Sequence, residues 1–171
     1  MTLDDAKAYL RLEGTSEDAL IERLVATATG LCEAYLGQAL VAREMQDMLP
    51  ASGAWQRLGT GPVHAITAVE GVPAEGAAFA LSPDAYAIDV DAAGDGWVRV
   101  MRPGAAGRVR VTYEAGMAAD TGAVPAPIGQ GVTRLVEYLY ADRDGRDGPP
   151  AAVAALWRPY RRVRLAPERR A

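Results

Sequence analysis

The spacing of apolar residues changes twice along this chain of 171 residues. Near both ends the apolar residues recur every three or four positions, which is typical of helices with one buried face. Between about residues 41 and 113 they alternate with polar residues, which indicates half-buried strands. The helical stripes from the two ends each need a partner, and packing them together satisfies both. We therefore predict an α+β fold, in which an antiparallel β unit is inserted into a small helical core.

Two helices are predicted in the first 40 residues. Thr2 and Asp5 approximate a capping box for a short helix over residues 3–11. Ser16 opens a longer helix, and Gly37 suits the left-handed position that follows a helix end. The apolar residues of this second helix form one stripe: Leu20, Ile21, Leu24, Val25, Ala28, Leu31, Cys32, Tyr35 and Leu36.

One or two C-terminal helices complete the predicted helical core. Pro125 and Pro127 indicate a helix start, while Gly129 and Gly131 predict that this start is late or irregular. A last short helical face ends at Pro159. The residues expected to be buried together in this core are Leu20, Leu24, Val25, Leu31, Leu135 and Leu139.

The middle of the chain is predicted to form five or six antiparallel strands. Tyr86, Ile88 and Val90 alternate with polar or small residues, and residues 41–49 and 63–72 are less regular strand candidates. The resulting organisation places residues 1–40 and 124–158 in the helical core and residues 41–116 in the β unit. Residues 159–171 form a basic C-terminal docking tail.

The tail differs in charge from the rest of the chain. Residues 158–171 hold six arginines and one glutamate, whereas the preceding 157 residues carry a net charge of −9. Arginine makes planar, bidentate contacts that suit docking to a partner, although a solvated terminus is an equally simple reading. Trp157, beside this tail, is open to two readings, as a core residue or as an interface anchor.

Several function classes are disfavoured by composition. No apolar run approaches the ~20 residues that a membrane span needs. The N-terminus is acidic, which does not resemble a secretory signal. An acidic body also disfavours general DNA binding. The single cysteine excludes an internal disulfide and fits a reducing compartment.

No residue pattern predicts a reaction or a bound metal. Asp89 and Asp91 have a faint calcium-loop spacing, but a strand that runs into an Asp-Gly hairpin explains them better. Cys32 lies within a helical stripe, which favours inert packing, and His64 stands at a predicted strand edge. The glycine-rich stretch at residues 59–62 lacks the lysine of a phosphate loop. We expect no enzyme activity, no cofactor and no metal.

Six segments, in order and covering most of the chain, resemble one protein family. They are residues 3–40, GPVHAITAVEGV at 61–72, YAID at 86–89, RVRVTYEAGM at 108–117, VPAPI at 124–128 and ALWRPYRRVRL at 155–165. Together they resemble the head–tail connector proteins of long-tailed phages, also called adaptor or head-completion proteins. The form with a β insertion is most similar to the adaptors of gene transfer agents and prophages.

The resemblance implies a structural role in the neck of a virion or virus-like particle that assembles in the bacterial cytoplasm. Such proteins form a ring, typically twelvefold, between the portal protein and the head-closure (stopper) or tail component. DNA passes through the ring without specific binding, and the C-terminal segment reaches into the portal. The residues expected to dock there are Trp157, Pro159, Tyr160, Arg161, Arg162, Arg164 and Leu165. The alternative is a small DNA-packaging or regulatory factor that uses the arginine tail on nucleic acid.

Overall fold

The computed structural model describes residues 1–142 and 150–162 and has the α+β fold expected from the sequence. The chain divides into two compact units. A helical unit contains Met1–Leu40 and the described residues from Ala118 onward, and a β unit contains Val41–Met117.

The helical unit contains four α-helices within the described residues. They are α1 (Leu3–Leu10), α2 (Asp18–Leu36), α3 (Ala126–Ala141) and α4 (Ala151–Trp157), and a 3₁₀ turn, Arg158–Tyr160, follows α4. The predicted capping box is confirmed, because the Thr2 hydroxyl accepts a bond from the Asp5 amide and the Asp5 carboxylate accepts one from the Thr2 amide. Gly37 ends α2 in the left-handed conformation at φ 67°, as expected.

The prediction that α3 begins late is wrong. The helix starts at Ala126, directly after Pro125, and runs without a break to Ala141. A proline at the start of a helix costs no hydrogen bond, because the first amide groups have no partner within the helix. The fixed φ angle of proline also suits the first turn of a helix, and this advantage outweighs the weak helix propensity of Gly129 and Gly131.

The prediction that Leu31 belongs to the core is also wrong, because its side chain is 46% exposed. The residues of α2 that are fully buried are Ile21, Ala28, Cys32 and Leu36. Each residue of an α-helix is rotated by about 100° from the next, so Leu31 points away from the face that holds Cys32. Among the other expected core residues, Leu135 is buried, whereas Leu20, Leu24, Val25 and Leu139 are partly buried.

The β unit has seven strands, counted over its described residues, where the sequence predicted five or six. They are β1 (Arg43–Pro50), β2 (Gln56–Arg57), β3 (Val63–Val72), β4 (Phe79–Ala80), β5 (Tyr86–Val90), β6 (Gly96–Val100) and β7 (Arg108–Ala115). β2 and β4 are two residues long, too short to produce an alternating pattern. The strands form two antiparallel sheets, in the orders β1-β7-β3-β4 and β2-β6-β5.

Residues from both sheets form a single apolar core. It contains Leu58, Val63, Val69, Leu81, Ala85, Val98, Val100, Val109, Val111, Tyr113 and Ala115. Burial and the nearby Asp47 carboxylate raise the pKa of Tyr113, whose hydroxyl accepts a bond from the Thr60 amide at 3.3 Å. A Cβ atom on Gly96 would lie 2.8 Å from the Cδ1 atom of Leu58, so glycine is needed where these two segments of the chain approach each other.

Asp91 organises the turn between β5 and β6 and confirms the hairpin interpretation of this acidic stretch. One carboxylate oxygen accepts bonds from the amides of Ala93 at 2.9 Å and Asp95 at 3.0 Å. The other oxygen accepts a bond at 2.9 Å from the indole Nε1 of Trp97, which is only 2% exposed. Both oxygens are therefore engaged in holding the turn.

Replacing Asp91 with Ala should destabilise the protein by about 1–3 kcal/mol, because the buried Trp97 N–H and two turn amides lose their acceptor. Chemical denaturation followed by tryptophan fluorescence measures this. Glu75→Ala, at an exposed position in the same unit, serves as the control and should leave the unfolding midpoint unchanged. Equal midpoints for the two variants would contradict the role assigned to Asp91.

Candidate functional site

The candidate docking site lies at the end of the helical unit where the arginine-rich segment begins. Trp157, the last residue of α4, is 4% exposed. Its indole Nε1 donates a hydrogen bond at 3.1 Å to the Ile128 carbonyl oxygen, in the first turn of α3. A buried indole N–H needs such an acceptor, and this bond joins α4 to α3.

Gly131 provides the space into which Trp157 fits. A Cβ atom at position 131 would lie 2.2 Å from the indole Nε1, far closer than atoms approach in proteins. The glycine that the sequence suggested would weaken α3 is therefore required for close packing of α3 against α4. Sequence reasoning missed this role, although a glycine inside an apolar helical stripe is a usable sign of close approach.

Tyr35 of α2 contacts both Trp157 and Arg161. The Tyr35 and Trp157 rings have centroids 5.8 Å apart and are inclined at 50°. The Arg161 guanidinium lies over the Tyr35 ring, with its Cζ atom 5.1 Å from the ring centroid. A cation–π contact of this kind contributes about 0.5–1 kcal/mol at an exposed site. Arg161 is therefore held on the surface of the helical unit.

Backbone contacts fix the following residues at the C-terminal end of α2. The Arg162 amide donates to the Leu36 carbonyl oxygen at 2.9 Å, an acceptor that has no partner within its own helix. The side chain of Gln38, 7% exposed, donates from Nε2 to the Tyr160 carbonyl oxygen at 2.7 Å. Pro159 lies in the 3₁₀ turn between α4 and these contacts and limits the backbone there.

The structure brings Pro159, Tyr160, Arg161 and Arg162 together at this end of the unit. Trp157 is a core residue, because its indole ring is buried in a slot that Gly131 leaves open. Its expected contact with the portal is a separate prediction that burial in the helical unit does not exclude. A segment this rich in arginine has too few apolar residues to order itself, which predicts an extended, mobile segment from residue 158. That expectation is wrong as far as residue 162, because Tyr160 is bonded to Gln38 and Arg162 is bonded to Leu36. Arg164 and Leu165 lie outside the described residues.

The residues considered for chemistry have structural partners. Burial raises the pKa of the Cys32 thiol to about 12, which leaves almost no reactive thiolate at neutral pH. The His64 Nε2 atom donates to the Gly116 carbonyl oxygen at 2.7 Å. The described residues contain no group of three or more side chains placed to hold a metal ion. Within the same residues, no helix is both long and apolar enough to cross a membrane.

The start of the basic segment is thus anchored on the end of the helical unit, and comparisons with known proteins identify the family. A family model described as head completion protein matches residues 1–148. The chain belongs to the head completion protein family, as the sequence resemblance indicated. This is a family of structural proteins of phage-like particles and not a class of enzymes.

Solved structures give the same result. The chain is 28% identical to a chain in the neck of an empty gene transfer agent (GTA) particle computed with C6 symmetry. The match has a TM-score of 0.80 and covers 99% of this chain and 93% of that one. A chain of the native GTA virion gives 27% identity and a TM-score of 0.72, with 97% and 91% covered. A chain in the native GTA neck computed with C12 symmetry gives 29% and 0.71, with 90% and 87% covered. No curated protein matches this chain.

The slot for Trp157 is tested by a matched pair of glycine substitutions on α3. Gly131→Ala should destabilise the protein by about 1–3 kcal/mol, because the added methyl group overlaps the indole ring. Gly129→Ala meets nothing within 4 Å and should leave stability unchanged or raise it by up to about 1 kcal/mol through helix propensity. Thermal unfolding of both variants measures the difference. Similar midpoints would contradict the assigned packing.

Cys32 should react with iodoacetamide at pH 8 far more slowly in the native protein than in the unfolded one. Its native pKa is raised to about 12 by burial, so the thiolate fraction grows only at strongly alkaline pH. Mass spectrometry of timed samples measures the modification. Leu31→Cys provides an exposed thiol on the same helix that should be labelled rapidly. Rapid labelling of Cys32 in the native wild-type chain would contradict its buried position.

Proposed function

We propose that this chain is a structural adaptor in the neck of a phage-like particle. It forms a ring between the portal protein and the head-closure or tail component, and the packaged DNA passes through that ring. The particle is assembled in the bacterial cytoplasm. The observation that carries this proposal is the match to a GTA neck chain over nearly the whole of both chains.

The basic C-terminal segment is proposed to reach the portal protein. Its starting point is fixed, because the Arg162 amide is bonded to the end of α2. Nine residues follow Arg162 and include Arg164 and Leu165. A segment of this length spans at most about 30 Å when fully extended. Arginine forms paired hydrogen bonds with carboxylates, so an acidic groove on the portal is the expected receptor.

The charge of the rest of the chain fits a passage for DNA better than a binding site for it. The first 157 residues carry a net charge of −9. A ring with such subunits repels phosphate groups, which favours sliding of the duplex. A DNA-packaging or regulatory factor would instead need a basic face, and its affinity would fall steeply with salt.

Truncation after Arg162 should leave the fold intact and abolish attachment to DNA-filled heads. The contacts described at the end of the helical unit are made by residues up to Arg162, which the truncated chain keeps, so we expect the melting temperature to stay the same. Particles from cells that express only the truncated chain should leak DNA or lack tails. Electron microscopy and a nuclease-protection assay measure these defects.

Two controls make this test specific. A variant with residues 163–171 scrambled keeps the composition of the tail and should fail like the truncation if the sequence itself is recognised. Rescue by the scrambled tail would show that charge alone is sufficient. Normal heads from the truncated chain would contradict docking through the tail. Salt-dependent binding of the isolated full chain to duplex DNA would instead favour the nucleic-acid alternative.

A further inference from the structure

Residues 160–162 cross the C-terminal end of α2 and are bonded to it on both sides of Arg161. Arg161 has an extended backbone, with φ −71° and ψ 126°. The carbonyl group before it accepts the bond from Gln38 at 2.7 Å, and the amide group after it donates to the Leu36 carbonyl oxygen at 2.9 Å. The direction of the chain at Arg161 is therefore fixed by two hydrogen bonds.

Gly37 allows the segment to come this close to the helix. A Cβ atom at position 37 would lie 3.2 Å from the Arg162 carbonyl oxygen, which is tighter than most such contacts in proteins. Gly37 also has the positive φ of 67° with which α2 ends. One glycine therefore serves both the end of the helix and the passage of the segment across it.

The end of α2 also attracts this segment electrostatically. The last carbonyl groups of a helix have no partner within the helix and carry a partial negative charge. The Arg162 amide bonds one of these groups, and the Arg161 guanidinium lies over the ring of Tyr35, in the last turn of α2. The segment thus brings a hydrogen-bond donor and a cation to a site that favours both.

We propose that Tyr35 and Gln38 are positioning residues for docking, and that Arg161 acts through Tyr35 rather than by contacting the portal protein. The inference rests on the proposed docking of the C-terminal segment. It divides that segment into an anchoring part, residues 158–162, and a docking part, residues 163–171. The resemblance had instead placed Arg161 among the docking residues.

These contacts affect docking because they order the segment before it meets its partner. A segment that is already ordered loses less conformational freedom when a partner binds it. When only a fraction of the molecules has the anchored form, the apparent affinity falls in proportion to that fraction. Loosening residues 160–162 should therefore weaken docking even though the docking part itself is unchanged.

A double-mutant cycle at positions 35 and 161 tests the assignment. DNA-filled heads from cells that lack this chain are mixed with purified variants, and the bound chain is measured after sedimentation. Arg161→Ala and Tyr35→Leu should each raise the concentration at half-saturation about two- to fivefold, which corresponds to the loss of one cation–π contact. The double variant should bind no more weakly than Tyr35→Leu, because both changes remove the same contact.

Two variants control for total charge and for the aromatic ring. Arg158→Ala removes a positive charge from the same segment, also at an exposed position, and should bind like wild type. Tyr35→Phe keeps the ring beneath Arg161 and should also bind like wild type. Equal weakening by Arg158→Ala and Arg161→Ala would show an effect of total charge and would contradict the role of Tyr35.

Hydrogen exchange of the Arg162 amide reports on the anchor without the portal. Gln38→Ala removes the bond to Tyr160, next to the bond that protects this amide. The amide should then exchange about two- to tenfold faster, as expected for one lost hydrogen bond, and binding to heads should weaken. Unchanged exchange would show that Gln38 does not hold the segment. Faster exchange with unchanged binding would show that the anchor is structural only. Either result would refute the positioning role of Gln38.

The outcomes separate this inference from the proposed function. Losses that add in the double variant would show that Arg161 contacts the portal directly. That result would overturn the inference and leave docking through the segment intact. Full binding of a chain truncated after Arg162 would overturn the proposed docking and, with it, this inference.

Discussion

The hydrogen bond from the Trp157 indole to the Ile128 carbonyl is the interaction on which the helical unit depends. It joins the last described helix to the first turn of α3, and it forms only because Gly131 leaves room for the ring. The same ring contacts Tyr35 of α2, so one side chain connects three helices. Losing the indole would leave a cavity between these helices and remove the bond that joins α4 to α3. The point at which the tail leaves the unit depends on this packing, because Arg161 and Arg162 contact the same end of α2.

Anchoring the first part of the tail has a consequence for binding. Ordering a chain segment costs roughly 1–2 kcal/mol per residue, and this cost weakens docking by a flexible arm. Residues 158–162 are already ordered on the helical unit by the bonds from Gln38 and to Leu36. A partner that binds the residues beyond them therefore meets a segment whose origin and exit direction are set in advance, and this preorganisation favours affinity.

Local signals in the sequence predicted several helix and turn boundaries but did not predict burial. Thr2 with Asp5, Gly37 and the hairpin at Asp91 were predictable because each depends on bonds within a few residues. The exposure of Leu31 and the burial of Trp157 depend on how separate helices pack together, as α2 and α4 do where Tyr35 meets Trp157. The spacing of apolar residues shows that a helix has an apolar face. It does not show how much of that face the rest of the unit covers. The small strands β2 and β4 were missed since two residues carry no period.

Helix α2 shows why apolar periodicity alone does not define a buried face. Its fully buried residues, which pack against the rest of the unit, are Ile21, Ala28, Cys32 and Leu36. The residues one position earlier are rotated by about 100°, and their burial decreases from Leu20 and Leu24, which are partly buried, to Leu31, which is exposed. A single exposed leucine is ordinary on a folded surface. The apolar stripe of this helix is therefore wider than the face that its own unit covers.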